Sequence, residues 1–258
     1  MNTSGVAATA YLAILFSING CAQSAVFSPP PNGEEVTVTV KVPKDLAADT
    51  MRVMYRSAKC PSRESADGIA YEVDGFYPIE VQPRQVGQSD LYEAKLARDG
   101  GGACQWKLSN VTFGVSYRNT KIFGENATPG GGGGVIVAFD ENLTQRRSMY
   151  PPVEISGDLL IKEDYFPWVD RQFRGHYETQ VWLTGKGDIY LSYRVLQAKS
   201  IKFEPVLHDR FPVYSVWPKE HSVGKYIEFT YPDGSVVSDG SSEPDFEKLQ
   251  SIKNNLKH

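Results

Sequence analysis

Four histidines, His176, His208, His221 and His258, are the only imidazoles available for base or metal chemistry. Nucleophilic catalysis needs a nucleophile, a base and an orienting group within hydrogen-bond reach of one another. The chain has neither a Gly-x-Ser-x-Gly elbow nor a His-Glu-x-x-His helix, so the two commonest hydrolase signatures are missing. Its carboxylates gather at Asp158, Glu163, Asp164 and Asp170, and again at Asp140-Glu141 beside Asn142. Neither group has calcium-loop spacing, and charged loop residues mostly stay in water. Active sites are assembled in space, so an envelope hydrolase or carbohydrate-active enzyme built from these carboxylates with His176 or His208 stands as the alternative expectation. Cys60 and Cys104 have no second cysteine or histidine at zinc spacing. No metal, cofactor or catalytic residue is therefore expected.

Binding chemistry is better represented. Asp164–Arg174 (DYFPWVDRQFR) sets Tyr165, Phe166, Trp168 and Phe173 among Asp170, Arg171 and Arg174. Aromatics with arginine dominate the energetics of protein interfaces, which makes these seven residues the expected partner-binding surface. The competing expectation is that Phe166 and Trp168 plug a seam between two β halves. Gly130–Gly134 follow Pro129 and invite a phosphate-loop reading. Phosphate loops open a helix, whereas these glycines precede the β-like run Val135–Phe139 without a Gly-Lys-Ser/Thr. A flexible or close-packed surface loop is expected instead.

The N-terminus sets the address of the chain. Val6–Ile18 is an uncharged apolar run of thirteen residues, too short for a span of about 20 and of signal-peptide length. Ile18-Asn19-Gly20-Cys21 looks like a bacterial lipobox, although no Lys or Arg precedes the apolar run. The expected order is a leader over 1–20, then lipidated Cys21 opening a Pro-rich tether over 21–34. The product would be anchored in the cell envelope facing the periplasm, on the outer membrane rather than the inner. If Cys21 carries lipid, Cys60 and Cys104 remain to pair in an oxidising compartment, the alternative being two buried thiols. A net charge of −4 and pI near 5.7 lack the basic footprint of a nucleic-acid binder.

The elements that must position these groups are strands. Val36, Val38, Val40 and Val42 alternate with polar residues, the period of a half-buried sheet. Further β segments are expected at 51–56, 69–73, 76–81, 91–96, 135–139, 153–161, 201–203 and 213–217. Gln105–Tyr117 changes phase after Asn110, which predicts a bulge. Hairpins are expected across Asp99–Gly102, across 184–188 and across Tyr231–Gly234. Pro151-Pro152 is the expected boundary between an N-terminal β half (35–150) and a C-terminal one (151–258). A final helix is expected over 243–257, capped by Ser242. The fold class is mainly β: an antiparallel β-sandwich-like body, one large or two abutting halves, with a C-terminal helix.

Met51–Ser57 leading to Cys60, Gly101–Trp106 around Cys104, and the Gly130–Phe139 run resemble uncharacterised proteobacterial lipoproteins. Some lipoproteins of that general kind act as periplasmic immunity partners of type VI secretion effectors, including lipases. The resemblance implies a non-catalytic binding lipoprotein whose partner is an envelope or secreted protein, with membrane contact through the N-terminal lipid. It carries no site residues.

Overall fold

The computed structural model describes residues 26–187, 189–220 and 222–255. The leader, Cys21, His221, His258 and the end of the predicted helix lie outside them. The valine alternation forms β1 (Glu35–Lys41), with Val36, Val38 and Val40 fully buried. β2 (Leu46–Ala48) follows, then a long hairpin of β3 (Met51–Ala66) and β4 (Ile69–Val81) turned at Asp67-Gly68. β5 (Arg84–Gln85), β6 (Leu91–Ala97) and β7 (Asp99–Gly101) lead into β8 (Trp106–Tyr117). The glycine run supplies β9 (Thr128–Gly132) and opens β10 (Gly134–Ala138).

Beyond Pro151-Pro152 come β11 (Val153–Ser156), β12 (Leu159–Phe173), β13 (Tyr177–Thr184) and β14 (Tyr190–Leu196). They are followed by β15 (Ser200–Leu207), β16 (Val213–Val216), β17 (Glu228–Thr230), β18 (Val236–Val237) and the helix α1 (Phe246–Asn255).

Two sheets pack face to face. One runs β18-β17-β16-β12-β15-β1-β6-β5, with β13 on β12 and β9 on β13. The other runs β11-β14-β10-β8-β3-β4, with β2 and β7 also on β8. Val38, Leu96, Ile161 and Phe203 of the first share one core with Val53, Val111, Phe113 and Val137 of the second. β12 then continues past the sandwich. Its first half pairs with β15, and its second half lies between β13 and β16. There Phe166, Trp168, Val213, Phe229, Leu249 and Ile252 form a smaller core roofed by α1.

The mainly β, sandwich-like body with a C-terminal helix is the observed architecture. Its pairing is mixed rather than wholly antiparallel: β1 runs parallel to β15, β10 to β14, and β12 to both β15 and β16. Parallel neighbours arise because the chain keeps crossing between the sheets. Two expected hairpins fail for that reason. β13 and β14, and likewise β6 and β8, belong to opposite sheets. The division at Pro151-Pro152 does not separate two bodies, because β1 of the first segment is hydrogen-bonded between β6 and β15. The bulge in β8 is present: Tyr55 faces Leu108 while Met54 faces Asn110. Asp245 rather than Ser242 caps α1, its Oδ1 accepting from the Lys248 N–H at 3.0 Å.

Candidate functional site

The expected interface segment is largely interior. Tyr165, Phe166, Trp168 and Asp170 are buried on β12, between the sandwich core and the smaller core beneath α1. The Asp170 carboxylate is 1% exposed. It accepts from Ser215 Oγ at 2.5 Å, Trp217 Nε1 at 2.8 Å and Gln172 Nε2 at 2.7 Å. Trp168 Nε1 donates to the same Ser215 hydroxyl at 2.8 Å. A buried carboxylate held by three donors orders a seam and has no face left for a partner. Only Arg171, Phe173 and Arg174 reach the surface. Arg171 lies 4.9 Å over the Tyr177 ring, and Arg174 donates to Gln172. The segment was expected to bind outward because its aromatics and arginines are adjacent in sequence. β12 is buried on both faces over Tyr165–Asp170 and emerges only at its end, so adjacency in sequence does not make one surface.

The titratable groups are spent on structure. Asp164 accepts from His208 at 2.6 Å, Gln250 at 2.7 Å and Lys253 at 3.1 Å, tying α1 to β12 and β15. Burial acts to raise the Asp164 carboxyl, but the three donors outweigh it and hold it down at about 2. Asp158 accepts the backbone N–H groups of Lys199 and Ser200. His176 is exposed, 3.7 Å from Glu178. No three His, Cys, Asp or Glu side chains gather as a metal site among the described residues. The glycine run is close-packed: a Cβ on Gly130 would lie 2.6 Å from the Trp182 ring. It forms strand β9 and opens onto another strand rather than a helix.

A different feature stands out from the body. β3 pairs with β8 only over Arg52–Arg56, yet its hairpin with β4 continues to Ala66–Ile69. Beyond Ser57 the two strands form a ribbon with no third strand among the described residues. Residues 63–72 are all exposed, including Ile69 at 72% and Tyr71 at 43%. Two strands alone are marginal in water, so such a ribbon needs support at its root. The Cys60–Cys104 disulfide supplies it, joining the ribbon to the turn before β8 with 5.4 Å between Cα atoms. Ser57 Oγ donates to the Cys104 carbonyl, and Arg56 reaches Asp74 O at 3.2 Å and Leu143 O at 3.0 Å.

The expected tether also docks at this root. Phe27 lies 4.7 Å from Tyr55 and 5.6 Å from Tyr77, ring centre to ring centre. The Ser28 N–H donates to Gly100 O at 2.8 Å. Gly101 has φ +59, and a Cβ there would overlap the Ser28 carbonyl oxygen. Residues 26–34 are thus attached to the domain rather than free of it. Asn32 at φ 64 and the Gly33 N–H to Pro30 O bond form the expected turn.

Comparison with protein-family models, curated proteins and solved structures finds no match to the chain.

Proposed function

We propose that this chain is a non-catalytic binding protein of the bacterial envelope, exported and anchored through lipid on Cys21, that engages another protein through the β3–β4 ribbon. Immunity to a secreted toxin is the sharpest form of this reading. The observation that carries it is the ribbon itself. Its tip, residues 63–72, is exposed throughout, its root is braced by a covalent bond, and it displays Ile69 and Tyr71 in water. Around them stand Glu64, Asp67 and Glu72 against Arg63 alone. An apolar tip with acidic flanks fits an apolar cleft rimmed by basic residues, and is repelled by an anionic lipid surface.

The Cys60–Cys104 bridge fits an oxidising compartment and leaves Cys21 as the one cysteine outside it. Docking of Phe27 leaves five residue steps between Cys21 and Val26, at most about 18 Å of extended chain. A lipid on Cys21 would therefore keep the ribbon root close to the membrane.

The test is affinity capture from envelope and secreted fractions with the tagged full-length chain. One protein in stoichiometric amount is expected, and it should be lost when Ile69 and Tyr71 are both replaced by Ala without change in thermal midpoint. An empty capture, or one indifferent to these substitutions, refutes the ribbon as the binding element. Labelled fatty acid should enter the wild-type chain and not the Cys21→Ser variant.

A further inference from the structure

The outer face of the second sheet carries small polar residues along β8. Thr112 and Ser116 point outward there, while Val111, Phe113 and Val115 enter the core. The backbone of Gly130–Gly132, Asp49, Arg52 and Tyr190 stand around them and enclose a groove of about 540 Å³. Arg52, Glu80 and Arg146 also line a second lobe of about 400 Å³, with Pro78, Ile79 and Gln145. The Gly-rich strand that failed as a phosphate loop is one wall of this cleft.

Its polar groups are not used up by the protein. Thr112 is 7% exposed, and its hydroxyl has no hydrogen-bond partner. Gln145 Oε1, in the other lobe, is buried in the same state. Buried polar groups are nearly always satisfied, so two orphans in adjoining pockets that share Arg52, Glu80 and Arg146 point to a ligand. Asp49, which lines the groove, accepts from Ser116 Oγ at 2.6 Å. Burial pushes the Asp49 carboxyl up, with the Ser116 bond opposing. The guanidinium groups of Arg52 and Arg146 have no ion-pair partner within 4.0 Å among the described residues. Glu80, which faces Arg52 across the β3–β4 pair, lines the same junction.

The chemistry of a matching ligand follows. Asp49 and Gln145 call for O–H or N–H donors at both ends, and Thr112 can give or take one. The two arginines present planar forks suited to a carboxylate between those ends. A peptide offers one backbone N–H per residue, whereas a sugar ring offers several hydroxyls in the same length. We propose that this groove binds an acidic saccharide, its carboxylate between Arg52 and Arg146 and its hydroxyls on Asp49, Thr112 and Gln145. This site is separate from the ribbon and does not depend on the protein-binding reading.

The test is isothermal titration of the full-length chain with a uronic-acid trisaccharide, its methyl ester and inorganic phosphate. Saturable binding of the free acid is expected, with the ester about tenfold weaker or worse. Arg146→Gln and Thr112→Val should each weaken the acid by about tenfold with unchanged thermal midpoints, while Tyr71→Ala leaves it unaltered. No binding of the trisaccharide overturns the proposal, as does equal affinity for acid and ester. Phosphate binding as tightly as the trisaccharide would make this a simple anion site and overturn it too.

Discussion

Gly101 decides where residues 26–28 go. Its φ of +59 and the Ser28 carbonyl lying where a side chain would start leave room only for hydrogen. Gly101→Ala should displace Ser28, lose the Phe27 packing on Tyr55 and Tyr77, and cost about 2–3 kcal/mol in urea unfolding. Phe27→Ala should cost a similar amount, and the double variant little more, because both remove one contact. Strict additivity would contradict the docking. The sequence marks Asp99–Gly102 as a turn, since glycines and an Asp-Gly pair announce one locally. It gives no sign that another backbone lies against them, because close approach of distant segments has no local signature. Asp170 is misleading for the same reason. An acid among aromatics and arginines reads as surface until the partners Ser215 and Trp217, distant in the chain, are seen around it.

At the scale of elements, α1 is held by charge as well as by Leu249 and Ile252. Asp164 titrates at about 2 in the fold against an ordinary 3.8. A lowered carboxyl stabilises the fold above its unfolded value, and that contribution is lost as pH falls from about 4 to about 2. Asp164→Asn should lower stability at pH 7 by about 2 kcal/mol, leaving Lys253 without its carboxylate, and should flatten the acid limb of a urea-midpoint series. An unchanged acid limb would show that Asp164 does not set it. The ribbon is the second element with a distinct dependence. Its bridge spans 44 residues of sequence, and replacing Cys60 and Cys104 together by Ser should cost about 2–4 kcal/mol. Amide exchange should accelerate first over 57–75, where no third strand protects the pair. The alternation at β1 and the phase change in β8 were readable because they are local. The union of 51–66 and 69–81 into one long hairpin was hidden by Pro61 and by Gly75 at its irregular centre.

For the whole molecule, composition and turn chemistry are enough to announce a β body with a terminal helix. Topology is not. A strand's period reports which face is buried and says nothing of which neighbour it will find, so β13 and β14 look like a hairpin and part to opposite sheets. The same blindness hides the ribbon and the groove. The ribbon is legible as a turn at Asp67-Gly68, but its isolation follows from β8 beginning only at Trp106, level with the Arg56 end of its pairing with β3. The groove draws on β3, β4, β8, β9 and the segments around Asp49 and Arg146, which no spacing rule connects.

The proposed binding of a protein rests on the ribbon, and site-specific photo-cross-linking on the full-length chain addresses it directly. A photoreactive residue placed at Tyr71 is compared with one at Leu160, which is 56% exposed on β12. One discrete protein adduct from position 71 and none from 160 is the expected result. No adduct from position 71, or the same products from both positions, would contradict it.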